Sequence, residues 1–131
     1  MGLVHEQTRS AAPIAAIVRI LVVFEPRMYR EVLAFHLRRE RPRSEITLGS
    51  MQHLRDEAER TKPHLIFANE VPPELKDRNS LFWVELSTNA GLDANIRADG
   101  YSDTIYDVSL EDLLRVVDKA EEVLAHDDEQ Q

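Results

Sequence analysis

The 131-residue chain contains no cysteine. That absence excludes disulfides, thiolate metal sites and thiol nucleophiles together, and it suits a reducing cytoplasm, the compartment expected here. Glycine is scarce, with four scattered residues, and neither the dinucleotide nor the P-loop phosphate-binding pattern can be assembled from them. No G-x-S-x-G occurs, so the nucleophile elbow of the α/β-hydrolases is excluded as well. His5, His36, His53, His64 and His126 do not combine with other ligands at metal-site spacing, and no metal or other cofactor is expected. Long apolar runs are also missing. The longest, from Ile14 to Phe24, is interrupted by Arg19 and falls short of the ~20 residues a spanning helix needs. The first residues lack a cationic region and a cleavage pattern, so neither a secretory signal nor a membrane partner is expected.

Net positive charge is lacking too. The formal charge of −8 argues against nucleic-acid binding, which normally uses a basic surface. The signs are segregated: six arginines lie between Arg27 and Arg43, whereas Asp99 to Glu129 holds eleven acids against Arg115 and Lys119. Two solvated helix faces of opposite sign account for this, and the same polarity could orient a partner.

What remains is enough for one core, with 43% apolar residues. Polar tails are expected at 1–15 and 126–131, flanking a domain at 16–125. Ile17 to Phe24 is β-branched and almost wholly apolar, as in a strand covered on both faces. Pro26 then presets a helical first turn, and Met28, Val32, Phe35 or His36, and Leu37 recur at helical spacing up to Pro42. Glu45–Leu48 reads as a second strand. Ser50 is placed to cap a helix through Arg60, with Met51, Leu54 and Ala58 inward. His64–Asn69, Phe82–Leu86 and Asp103–Tyr106 read as further strands. Ser109 and Asp112 form a shortened capping box, ahead of an apolar stripe from Leu110 to Leu124. Alternation of strands and helices predicts a doubly wound, mostly parallel sheet.

Four stretches together resemble the receiver domain of bacterial response regulators: Ile20–Pro26, Lys62–Asn69, Ala98–Ile105 and Ser109–Leu114. The likeness covers about residues 17–125. It implies a flavodoxin-like α/β fold with five strands in the order 2-1-3-4-5. It also implies a place in two-component signal transduction.

In that family an acidic pair and an acceptor Asp hold Mg²⁺ while the Asp carboxylate takes up a phosphoryl group. A hydroxyl residue and a Lys then grip the phosphoryl oxygens. Carried onto this chain, the site is degenerate. Phe24 stands at the first acidic position, leaving only Glu25; Asn69 stands at the acceptor; Tyr106 stands at the lysine; Ser87, or Thr88, fits the hydroxyl. An amide is not a usable nucleophile, so the resemblance implies a pseudo-receiver without catalytic activity. Each residue also has a plain structural reading. Phe24 suits the end of a buried strand, Asn69 a turn, Ser87-Thr88 an N-cap, and Tyr106 a sheet-edge ring with a wet hydroxyl. Glu25 suits a helix start, where the dipole favours a carboxylate.

Only Glu70 to Phe82 separate the third strand's end from Trp83, with Pro72 and Pro73 among them. The third helix is therefore expected to be shortened or missing, and Gly91 to Ala98 allows only a short helix. One face of the sheet would then be thinly covered around Val71, Leu75, Leu81, Phe82 and Ile96, giving an interaction surface. Receiver-like domains often pair through their fourth and fifth strands, which by resemblance points to Tyr106, Leu110 and Arg115. The expected function is a phosphorylation-independent interaction or scaffolding module. Its partner would be another signalling protein or a second copy of itself. One alternative is a regulatory domain binding a small ligand at the strand C-terminal ends, lined by Glu25, Asn69 and Ser87. Another is an enzyme using the same crevice.

Overall fold

The structure, a computed structural model, describes residues 17–78, 80–88, 91–98 and 101–129. The expected N-terminal tail, residues 1–15, lies outside them. Six strands form one sheet: β1 (Arg19–Val22), β2 (Glu45–Leu48), β3 (Leu65–Ala68), β4 (Phe82–Ser87), β5 (Asp93–Ala98) and β6 (Tyr101–Ile105). Four α-helices accompany them: α1 (Arg27–Glu40), α2 (Leu54–Thr61), α3 (Pro73–Lys76) and α4 (Leu110–Glu129). A 3₁₀ turn over Met51–His53 leads into α2. None of the helices is long and apolar enough to cross a membrane, among the described residues.

The sheet order is β2-β1-β3-β4-β5-β6. From β2 to β4 every pair is parallel, whereas β4–β5 and β5–β6 are antiparallel. This overturns the expected five-stranded flavodoxin-like sheet. The departure begins after β4, where a hairpin replaces a crossover helix. Asp93-Ala94-Asn95-Ile96-Arg97-Ala98 alternates, with Ala94, Ile96 and Ala98 buried and the residues between them facing outward. That is the period of a strand with one covered face. The final strand consequently runs antiparallel at the far edge of the sheet instead of closing a parallel set.

Two apolar layers hold the sheet. On one side Ile20, Val22, Phe67 and Val84 pack with Leu33 and Leu37 of α1 and with Leu113, Leu114 and Val117 of α4. On the other, Leu21, Val23 and Ile66 pack with Leu54 and Ala58 of α2, and with Val71, Leu75 and Leu81 around α3. The expected thin face is therefore closed. Val71, Leu75 and Leu81 complete the second layer, while Phe82 and Ile96 belong to the first, and all five are buried. Even a four-residue α3 seals the gap, because Leu75 is its inward residue.

Over the antiparallel half the second side carries, among the described residues, mostly polar side chains beside Trp83, which packs against the second layer. Lys76 lies 4.6 Å from the Trp83 ring centroid and 2.9 Å from Glu85, and Thr104 donates to Asn95 at 2.8 Å. An open antiparallel face with polar residues needs no cover.

The two strong helices are tied together where the opposite charges meet. Arg41 grips the Asp118 carboxylate with two hydrogen bonds, at 2.7 and 2.9 Å, and Arg43 reaches Glu121 at 2.9 Å. The capping box forms as expected: Ser109 N–H donates to Asp112 and Asp112 N–H donates to the Ser109 hydroxyl. These bonds hold the Asp112 carboxyl below its ordinary range. Helix α4 then continues through Glu129, past the boundary expected at His126.

Helix α1 departs from expectation in a different way. Its inward residues are Leu33, Ala34 and Leu37. Met28, Val32 and Phe35, which share the helical spacing, are 64%, 51% and 58% exposed. At ~100° per residue they fall on the side of the helix away from Leu33 and Leu37. The helix carries two apolar stripes, and only one is buried.

Candidate functional site

Of the residues expected to form a degenerate phosphorylation site, Glu25 and Asn69 come together, and Tyr106 does not join them. Phe24 is buried in the first layer, with its ring stacked 6.1 Å from that of Tyr29. Asn69 follows β3 and makes a reciprocal pair with the backbone of Glu25. Glu25 N–H donates to Asn69 Oδ1 at 2.8 Å, and Asn69 Nδ2 donates to the Glu25 carbonyl at 2.9 Å. An amide can accept and donate at once, which a carboxylate at this position cannot. Asn69 thus clamps the turn after β1 to the end of β3, immediately before the cis Glu25–Pro26 peptide. The Glu25 carboxylate is exposed and lies 3.9 Å from Nη1 of the mostly buried Arg30.

Ser87 ends β4, where it pairs with Asp93 of β5. Tyr106 lies just past β6 and is 75% exposed. Since β4 and β5 intervene between β3 and β6, and strands are ~4.8 Å apart, Tyr106 is roughly 14 Å from the line of Asn69. The edge-strand hairpin has carried it away from any position a phosphate-gripping lysine would take. The pairing surface expected from parallel fourth and fifth strands fails for the same reason: Tyr106, Leu110 and Arg115 do not lie along two adjacent parallel strands. Among the described residues no group of three or more His, Asp or Glu is placed to hold a metal ion.

The C-terminal ends of the strands carry a different feature. A groove of about 500 Å³ opens between α1 and the start of α4. Its walls are Phe24, Leu33, Leu86, Leu92, Leu110 and Leu113, with Tyr29, Val32 and His36 along the α1 rim. Ser109 and Thr88 supply hydroxyls at its edge. Neither this groove nor the 440 Å³ depression beside α2 and α3 is lined by Glu25, Asn69 or Ser87. The expected ligand crevice is thus not built by those residues.

Val32 and Tyr29 make the groove continuous with the exposed stripe of α1. The sequence pattern placed Met28, Val32, Phe35 or His36, and Leu37 on one helical period, without separating an inward face from an outward one. The signal for a second face was present in Leu33, Ala34 and Leu37, which satisfy the same helical period. At the level of sequence and of three-dimensional shape the chain matches no protein-family model, no curated protein and no solved structure.

Proposed function

We propose that this chain is a protein-interaction module that works without phosphorylation. It receives an amphipathic segment of a partner protein on the outward face of α1 and in the groove beside it. The observation that carries this reading is the exposed stripe Met28–Val32–Phe35 on a helix whose other apolar side is already buried. Single exposed apolar residues are ordinary. A contiguous stripe running into an apolar groove marks a contact surface, and a helix laid in a groove is a common way to fill one.

Charge supports the choice of partner. Helix α1 exposes Arg27, Arg38 and Arg39 against Glu31 and Glu40 on a chain of net charge −8. A segment with acidic flanks and apolar anchors therefore suits this face better than a basic one. The clamp at Asn69 supports independence from phosphorylation, since its amide is engaged on both sides. The parallel order β2-β1-β3, with α1 and α2 as crossovers, is similar to the first part of the receiver plan. It supports placing the module in signalling.

The test is a photo-crosslinking amino acid placed at Phe35 or at Tyr106 in the full chain, in the cells that make it. The reading expects a protein adduct of discrete mass from position 35, lost when Val32→Glu is added, and none from position 106. An adduct of twice the chain's own mass would replace the partner protein by a second copy. No adduct from position 35, or one that survives Val32→Glu, would overturn the reading.

A further inference from the structure

At the opposite end of the sheet, where the parallel strands begin, lies a cavity of about 850 Å³. It is bounded by the ends of α2, α3 and α4 and by the first residues of β1, β3 and β4. Its polar lining has the wrong sign for the rest of the molecule. Arg19, Lys62, Arg78 and Lys119 face it, with His64 and His126, against Glu122 as the one lining acid among the described residues. The whole chain carries −8.

Two of these groups, Arg19 and His64, are fixed by the backbone. Arg19 Nε donates to the Lys62 carbonyl at 2.9 Å, and Arg19 N–H donates to His64 Nδ1 at 2.9 Å. With Nδ1 accepting, the neutral His64 ring carries its proton on Nε2 and offers a donor. Half-burial, with Arg19 beside it, pushes the His64 pKa down. Lys62 sits in the left-handed conformation that ends α2.

The remaining walls are apolar: Leu81 and Phe82 where β4 begins, and Val123 and Leu124 on the last turns of α4. A cavity with cations on both walls and apolar side chains between them suits an anion that carries an apolar body. We infer that this cavity is a binding site for a small amphipathic organic anion, a phosphate or carboxylate on an aromatic or aliphatic group. The inference is independent of the α1 face, which lies elsewhere on the molecule.

Glu59 is the competing group. Its carboxylate holds Arg78 at 2.7 Å and Lys62 at 3.5 Å, and these cations lower its pKa. It does not remove the site. Exposed ion pairs are weak, and a lysine with three donors and an arginine with five can hold a second anion. Lys119 reaches Glu122 only at 3.9 Å.

The experiment titrates the full chain with phenyl phosphate and follows backbone amide shifts. Phenol and inorganic phosphate serve as the apolar and anionic halves of the probe. Saturable shifts at Arg19, His64, Phe82 and Lys119 are expected with phenyl phosphate, at an affinity at least tenfold tighter than with either half. The double variant Lys62→Gln/Arg78→Gln should weaken binding about tenfold, and Lys119→Gln severalfold, with the remaining spectrum unchanged. Equal response to phenol would make the cavity an apolar pocket only. Unaltered binding in both variants, or no saturable shift at those four residues, would overturn the assignment.

Discussion

The two sides of α1 share a composition and a period but differ in what they touch. Leu33, Ala34 and Leu37 lie against the sheet and α4, where water is excluded. Met28, Val32 and Phe35, of comparable bulk, lie in solvent. Apolar area adds to stability only when it is removed from water, at ~25 cal/mol per Å², so the inward stripe holds the fold and the outward one contributes nothing to it. An apolar surface kept on the outside is explained by what it meets, and the groove beside it gives that surface depth.

The largest break in this contrast should come from the inward side. Leu37→Ala is expected to lose ~2–5 kcal/mol in urea unfolding, because a buried leucine leaves a cavity as well as its transfer term. Next comes the turn that leads into the helix. Asn69→Asp removes the donor to the Glu25 carbonyl and sets a carboxylate against it, at a cost of ~1–2 kcal/mol. The same variant should take up no label from acetyl phosphate, since Phe24 leaves one acid of the metal pair missing and Tyr106, at the lysine position, lies past the far edge strand. Rapid labelling would show that the strand-end geometry is misread.

A smaller effect is expected in acid. His64 is held below its ordinary pKa in the folded state, first by burial and then by Arg19, so protonation favours the unfolded chain. Its contribution is complete above the unfolded value of ~6.5 and is lost as pH falls through and below that value. His64→Asn, which can still accept from Arg19 N–H, should flatten the decline in urea midpoint between about pH 7 and pH 5. The smallest effect belongs to the outward stripe, where Phe35→Ser should change stability by no more than ~0.5 kcal/mol.

How far the sequence could be read depended on how local the deciding interaction is. Strands β1 and β3, buried on both faces, announce themselves by unbroken apolar runs, and the start of α4 is set by its own capping residues. The short α3 follows from the number of residues between β3 and β4. Strand β5 was legible in the alternation from Asp93 to Ala98, but the expectation of a parallel sheet suggested a helix there. That choice displaced the last strand and with it Tyr106. The faces of α1 could not be separated by period, because both stripes satisfy it; α4 and the sheet decide between them. Asn69 was placed correctly at the end of β3, while its clamp on Glu25 depends on an approach between residues far apart in the chain. The cationic cavity at the other end is likewise assembled from distant segments, whose overall acidity conceals it.

The most direct test pairs stability with binding in one double variant, Val32→Glu/Phe35→Glu. Tagged wild-type chain is recovered from its own cells with its bound partner, the protein already identified by crosslinking from position 35, and the variant is recovered in parallel without crosslinker. The account predicts an unchanged urea midpoint and slope, together with loss of that partner. Retention of the partner by a fully folded variant would contradict it, and the outward face of α1 would then have no part in recognition.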